Sequence, residues 1–221
     1  MDSLSRHTDY GSVGLSESDL DADPMVQFAR WLDDVERAEV YEPNAMVVGT
    51  VDPDGAPSSR TVLLKGMDVG AAPHFDFVTN YGSRKARALD EHRGVTLLFP
   101  WYSLQRQVIV AGIAERAPIA VSDAYFEARP RDSRIGSAAS EQSRPIASRV
   151  ALEAQVAALV ELYADGRDVP RPDGWGAYRV IPHRIEFWQG RTSRLHDRLV
   201  FEREAGKGAQ APLWTVTRLQ P

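Results

Sequence analysis

The stretch AMVVGTVDPDGAPSSRTVLLK, residues 45–65, decides the fold class. Its first seven residues are rich in β-branched side chains and run into Asp52-Pro53-Asp54-Gly55, a turn signal. SRTVLLK (59–65) then resumes the same pattern, so two short strands joined by a tight turn are predicted. HFDFVT (74–79), VTLLFPW (95–101), RQVIVAGIAERA (106–117), AYRVIPHRIEFWQ (177–189), RLVFERE (198–204) and LWTVTRL (213–219) continue the series downstream. The AGKGAQAP link (205–212) between the last two reads as flexible.

Helical patterns are fewer. Asp23-Pro24 offers a cap and a first-turn proline, and Phe28, Leu32 and Val35 recur at helical spacing over 24–38. Ser83 to His92 and Ser122 to Ala128 read as short helices. Leu152, Val156, Leu159, Val160 and Tyr163 form one stripe of a further helix that Gly166 can end. A Pro-rich link, VPRPDGWG (169–176), precedes the late strands. Short strands with tight turns and no βαβ alternation predict a mainly-β (α+β) antiparallel barrel with peripheral helices. Residues 1–22, rich in Ser, Asp and Gly, read as a flexible arm, and 23–221 as a single domain.

Composition narrows the chemistry. At 221 residues with 43% hydrophobic side chains, a core able to bury about 70% of the unfolded surface is feasible. The chain has no cysteine, which excludes disulfides, thiolate metal sites and Cys nucleophiles. A net charge of −5 argues against general nucleic-acid affinity. No apolar run spans a membrane and MDSLSRHTDYGS has no signal-peptide core, so no membrane partner and a cytoplasmic location are expected. The five histidines (7, 74, 92, 183, 196) lack metal-ligand spacing, and no metal is expected. No dinucleotide, P-loop, zinc-protease or nucleophile-elbow motif occurs.

Anion-friendly clusters remain. Arg60 and Lys65 bracket an apolar stretch, and Ser83-Arg84-Lys85 opens a helix whose free N–H groups favour a phosphate. Arg129-Pro130-Arg131-Asp132-Ser133 reads as a loop after a helix, Gln142-Ser143-Arg144 is polar, and Arg191, Arg194, His196 and Arg198 follow Trp188. Taken singly, each is equally a solvated surface or a satisfied structural group. Together, in an acidic chain, they point to small phosphorylated ligands.

In order, RTVLLK (60–65), GSRKA (82–86), FPWYSLQRQV (99–108), YFEARPRDSRIG (125–136), EQSRP (141–145), WGAYRV (175–180) and EFWQGRTSRLHDR (186–198) resemble the pyridoxine (pyridoxamine) 5′-phosphate oxidase family. The resemblance runs from Asp23 to the terminal RLQP. It implies an FMN-binding split β-barrel, active as a homodimer with two flavins at the subunit interface. It implies FMN contacts by Arg60, Thr61, Val62, Leu63, Leu64, Lys65, Val78, Thr79, Arg84, Lys85, Gln107, Gln142, Ser143, Trp188 and Arg198. Lys65, Tyr125, Arg129 and Ser133 match the residues around the substrate phosphate, and Arg194, Leu195 and His196 those beside the pyridine ring. Arg194 and His196 are the implied catalytic pair.

The implied reaction oxidises pyridoxine 5′-phosphate or pyridoxamine 5′-phosphate to pyridoxal 5′-phosphate, with O2 as acceptor and H2O2 as product. Departures fall at Val78, where relatives often carry an aromatic residue, and in the arm. LSESDL (15–20) is acidic where some relatives are arginine-rich, and His7 replaces a common arginine, whereas Tyr10 is retained. Two other functions fit less of the pattern: a flavin oxidase of phenazine-type biosynthesis, and a non-catalytic flavin- or pyridoxal-phosphate-binding protein.

Overall fold

The computed structural model describes residues 4–5, 9–204 and 214–221; His7, the 205–212 link and Leu213 lie outside the described residues. Strands β1 (Ala45–Val51) and β2 (Pro57–Leu63) pair in antiparallel register from Ala45↔Leu63 to Val51↔Pro57. Between them Gly55 adopts φ +85°, its N–H donates to the Asp52 carbonyl at 2.8 Å, and the Asp52 N–H donates to the Ala56 carbonyl. A left-handed residue is needed there, and glycine adopts that conformation at least cost.

The chain continues through β3 (Gly66–Asp68), β4 (His74–Asn80), α2 (Arg84–Glu91), β5 (Gly94–Trp101) and β6 (Arg106–Arg116). Helices α3 (Ile119–Glu127), α4 (Arg131–Ala139) and α5 (Arg149–Leu162) follow, then β7 (Trp175–Gln189), β8 (Asp197–Arg203) and β9 (Trp214–Leu219). Helix α1 (Pro24–Arg37) precedes them all, capped by the Asp23 carboxylate on the Met25 N–H at 2.8 Å.

The nine strands form one antiparallel sheet in the order β2-β1-β5-β6-β7-β4-β3, with β8 added to β7 and β9 to β8. The sheet curls until β2 approaches β4, so the architecture is a mainly-β split barrel with peripheral helices. Strand β7 organises it. Its first part pairs β4 (Trp175–Val180), its last part pairs β8 (Arg184–Gln189), and its other edge pairs β6 from Tyr178 to Gln189. A bulge at Ala111/Gly112 bends the β6–β7 ladder between these halves.

The core fills the curled sheet beneath α1. Met25, Phe28, Trp31 and Val35 form its buried stripe, and Phe28 meets Phe75 and Phe99 edge-on at 5.0 and 4.8 Å. Each such aromatic pair adds about 0.5–1.5 kcal/mol beyond the area it buries.

Two expectations need correction. The segment Arg129-Pro130-Arg131-Asp132-Ser133 is not all loop: Pro130, with φ −53° and ψ 143°, is the N-cap of α4, Arg131 to Ser133 form its first turn, and Ile135 anchors that helix in the core. Short β3 was not anticipated, because three half-buried residues carry no alternation to read. Helix α5 has no buried residue at all, and Val150, Val160 and Leu162 remain 72, 50 and 51% exposed. Among the described residues, no helix is long and apolar enough to cross a membrane.

Candidate active site

Where the barrel closes, β2 and β4 face α3, α4 and the 140s segment across a cavity of about 480 Å3. Thr61, Val62 and Leu63 form its β2 wall, and Val78 and Thr79 its β4 wall. Lys65, Lys85, Tyr125, Arg129, Ser133 and Gln142 supply the rest, together with Pro130, which the sequence offered only as part of a basic cluster. The volume suits a small organic ligand.

Lys85 is the most constrained of these groups. Ser83 caps α2 by accepting the Ala86 N–H, and this sets Lys85 in the first turn, 8% exposed. Its Nζ donates to Thr79 Oγ1 at 3.0 Å and to Gln142 Oε1 at 2.7 Å. Burial, aided by the nearby Arg60 charge, lowers its pKa to about 8. A buried ammonium held only by neutral oxygens has capacity left for an anion.

On the far side of the cavity, Tyr125 stacks on Trp175 with centroids 6.2 Å apart. The Arg129 guanidinium lies 5.0 Å from the same indole and donates to Ser137 Oγ at 2.7 Å. Ser133 stands in the first turn of α4, where unpaired N–H groups favour a phosphate. Ser137 and Trp175 escaped the sequence reading because only packing brings them to Arg129.

The remaining candidates lie elsewhere. Arg60 donates to the Val48 carbonyl, Thr50 Oγ1 and Ser58 Oγ at 2.7–3.1 Å. Ser58 donates in turn to Asp52 Oδ1, and Arg84 Nε donates to Asp52 Oδ2 at 2.8 Å. Hydrogen bonding from Arg84 holds the Asp52 carboxyl below its ordinary range. Asp52 was legible only as a turn residue, yet it ties both arginines together. Leu64 turns into the core, and Ser143 sits at φ +71° beside Gln142.

Trp188, Arg194, Leu195, His196 and Arg198 gather at the other end of β7, with Gln107 opposite Trp188 in the ladder. The strand from Gly176, which pairs Thr79, to Trp188 spans about 40 Å at ~3.3 Å per residue. The His196 ring lies 4.7 Å from Trp188 and 5.5 Å from Tyr10. Its Nδ1 accepts the Arg191 N–H at 3.0 Å, which leaves Nε2 as the nitrogen free to meet a ligand. Ser193 and Arg194 both take left-handed backbone, φ 58° and 61°, which holds the turn in an uncommon conformation. Arg198 donates to buried Glu186 at 2.7 Å and to the Gln220 carbonyl at 3.1 Å.

Comparisons with known proteins place the chain in a family. Residues 32–163 match the family model described as pyridoxamine 5′-phosphate oxidase. Residues 175–221 match that of the pyridoxine 5′-phosphate oxidase C-terminal dimerisation region. The chain is 52% identical to a pyridoxine/pyridoxamine 5′-phosphate oxidase of Rubrobacter xylanophilus, over 96% of this chain and 94% of that protein. A protein of the same name from Burkholderia ambifaria is 50% identical, with 96 and 95% covered. Among solved structures, PhzG of Burkholderia lata, crystallised with tetrahydrophenazine-1-carboxylic acid, superposes with TM-score 0.85 at 32% identity, covering 96% of this chain and all of that one. An FMN-binding, pyridoxamine 5′-phosphate oxidase-related protein of Nostoc punctiforme shares the fold, with TM-score 0.70 at 15% identity, covering 91% of this chain and all of that one. With both halves of the chain matched and half of its residues shared across nearly its full length, the protein belongs to the pyridoxamine 5′-phosphate oxidase family.

Proposed function

We propose that this protein oxidises pyridoxine 5′-phosphate and pyridoxamine 5′-phosphate to pyridoxal 5′-phosphate with FMN, passing the electrons to O2 and yielding H2O2, the amine substrate being oxidised to an imine that water hydrolyses with release of ammonia. The observation that carries the reading is the single cavity at the barrel seam. It is lined by Thr61 to Leu63, Val78, Thr79, Lys85 and Gln142 of the proposed flavin residues, though not by Arg60, Leu64 or Arg84, and by all four proposed substrate-phosphate residues, Lys65, Tyr125, Arg129 and Ser133.

The donor set fits FMN. Thr61 to Leu63 offer a strand wall to lie along, while Lys85 with Thr79 and Gln142 provides a partly desolvated cation for a phosphate. When bound, FMN supplies the two-electron acceptor for a hydride from the substrate's C4′. The chain's own groups do the rest. Lys65, Arg129 and the α4 N-terminus anchor the substrate phosphate by charge-assisted hydrogen bonds, which fixes the distance from phosphate to ring. Arg194 and the Nε2 side of His196 stand at the C4′ substituent, where they stabilise developing charge and steer the departing hydroxyl or ammonium proton.

We infer that the site is completed by a second copy. Trp188, Arg194, His196 and Arg198 stand at the far end of β7 from the part that borders the cavity, so two copies related by a two-fold axis could bring each group to the other's cavity. The match of residues 175–221 to a dimerisation region supports a homodimer.

PhzG's bound tetrahydrophenazine carboxylate favours one second reading, oxidation of a tricyclic carboxylate. The cationic side chains Lys65, Lys85 and Arg129 lining this cavity argue for the phosphorylated pyridine. Anaerobic addition of pyridoxine 5′-phosphate to the FMN-loaded protein should bleach the flavin spectrum, and admission of air should restore it with peroxide released. No bleaching, or bleaching by a reduced phenazine carboxylate alone, would overturn the proposal.

A further inference from the structure

Behind His196 lies a cluster of charges that the reaction does not use. Asp197, the next residue, is largely buried and divides its two oxygens between partners from distant parts of the chain. Its Oδ2 accepts the Leu15 N–H at 2.9 Å and Arg191 Nη1 at 3.4 Å. Its Oδ1 accepts Arg218 Nη1 at 2.6 Å. Arg218, on β9, turns its remaining donors onto the N-terminal segment: Nε and Nη2 each meet a Glu17 carboxylate oxygen at 2.9 Å, and Nη2 also reaches the Leu15 carbonyl at 3.0 Å.

The N-terminal segment is shaped to receive this grip. Ser16 and Asp19 form a reciprocal cap on the 3-10 turn Glu17–Asp19, and this fixes the Glu17 backbone. Leu15 is 7% exposed within the core cluster. Further back, the Gly11 carbonyl accepts the Thr192 N–H at 3.1 Å. The segment thus follows residues 191–197 and delivers Tyr10 edge-on to both Trp188 and His196, at 6.0 and 5.5 Å.

We propose that Arg218 and Glu17 are positioning residues: their clamp holds residues 10–17 against β8 and, through Tyr10, sets where the His196 ring stands. The clamp is a bidentate guanidinium–carboxylate pair with a second carboxylate behind it, the arrangement that combines strength with geometry. Hydrogen bonding from Arg218 holds the Glu17 carboxyl at about 2, so the pair stays charged at any pH at which the protein is handled. Neither residue touches the cavity. The part of the proposal that concerns turnover rests on the reading of His196 as a ring-side group, whereas the clamp itself does not.

Glu17→Gln is the cleanest variant, because Glu17 is exposed and its loss leaves the barrel untouched. Arg218→Ala and the double variant complete a cycle. On the full-length FMN-loaded protein, hydrogen exchange of the Leu15 and Thr192 amides should accelerate tenfold or more in either single variant. It should accelerate little further in the double. Steady-state kinetics with pyridoxine 5′-phosphate should show kcat/KM lowered about three- to tenfold, carried by kcat with KM within twofold, again without addition in the double. Unchanged exchange at Leu15 would overturn the clamp. Faster exchange with unchanged kcat would overturn its link to His196. Should the wild-type protein fail to turn over pyridoxine 5′-phosphate, the functional reading falls, and the exchange data alone still decide the clamp.

Discussion

Lys85 and Arg129 carry the sharpest consequences among single residues. The Lys85 amine, lowered from 10.5 to about 8 by burial and the Arg60 charge, binds fewer protons in the folded apo-protein than in the unfolded chain between those values. Its contribution to apo-protein stability therefore rises as pH rises from 8 to 10.5. Anion binding has the opposite sign, because it needs the ammonium. FMN affinity should fall as pH climbs through 8 while riboflavin affinity stays level, and Lys85→Gln should abolish the difference; fluorescence titrations at pH 7 and 9.5 test this, and parallel curves for the two ligands would remove Lys85 from the phosphate. Arg129 divides binding from chemistry. Held against Trp175 and Ser137, it is assigned to the substrate phosphate, remote from C4′. Arg129→Ala should raise KM for pyridoxine 5′-phosphate about 10- to 100-fold, the worth of a charge-assisted bond, and spare unphosphorylated pyridoxine. Arg194→Ala should instead lower kcat/KM for both. Equal losses from Arg129→Ala on the two substrates would refute the division.

Elements place these residues, and the β6–β7 ladder places most of them. Gly112, at the bulge, leaves no room for a side chain: a Cβ there would sit 2.5 Å from the Ile181 carbonyl oxygen and 2.9 Å from Val180 Cγ1. Backbone cannot yield as a side-chain tip can. Gly112→Ala should cost about 1–3 kcal/mol by overpacking, with each kcal/mol lowering Tm by roughly 2–4 °C in a chain this size. Calorimetry of the apo-protein measures it, and an unshifted Tm would show that the ladder is looser at the bulge than its contacts imply. Because the bulge separates the half of β7 beside the cavity from the half that bears Trp188, FMN affinity should weaken as well.

At the scale of the whole molecule, the proposed division of the site between the cavity and the groups at the far end of β7 would make assembly a condition of activity. Arg129→Ala damages the cavity half of a site and Arg194→Ala the ring half. Coexpressed, the two variants should form mixed dimers in which one site carries both lesions and the other neither. Random pairing makes half the dimers mixed, so activity should recover to about a quarter of wild type. No recovery above the single variants would place both halves in one chain. Light scattering should also find flavin only on species of twice the 24.5 kDa chain mass.

Local chemistry was legible because it is local. The 45–65 hairpin could be read residue by residue, since alternation and the Asp52–Gly55 turn involve neighbours two to four positions apart. So could α1 and α2, whose caps Asp23 and Ser83 stand where the sequence puts them. Helix α4 was not, because Arg, Asp, Ser and Gly are indifferent helix formers and its support is the burial of one distant-packing residue, Ile135. The clusters of arginine, lysine and serine were visible as residue types, but nothing in a linear pattern says which of them meet. That was decided by the sheet: closure of β2 onto β4 brings Thr61–Leu63 to Lys85 and Arg129, while pairing of β8 with the far half of β7 carries His196 away from them. The sequence by itself determined the strands, the turns and the chemistry on offer. The tertiary structure alone decided where each group stands, because strand order and register join residues more than a hundred positions apart, and no local preference encodes such a pairing.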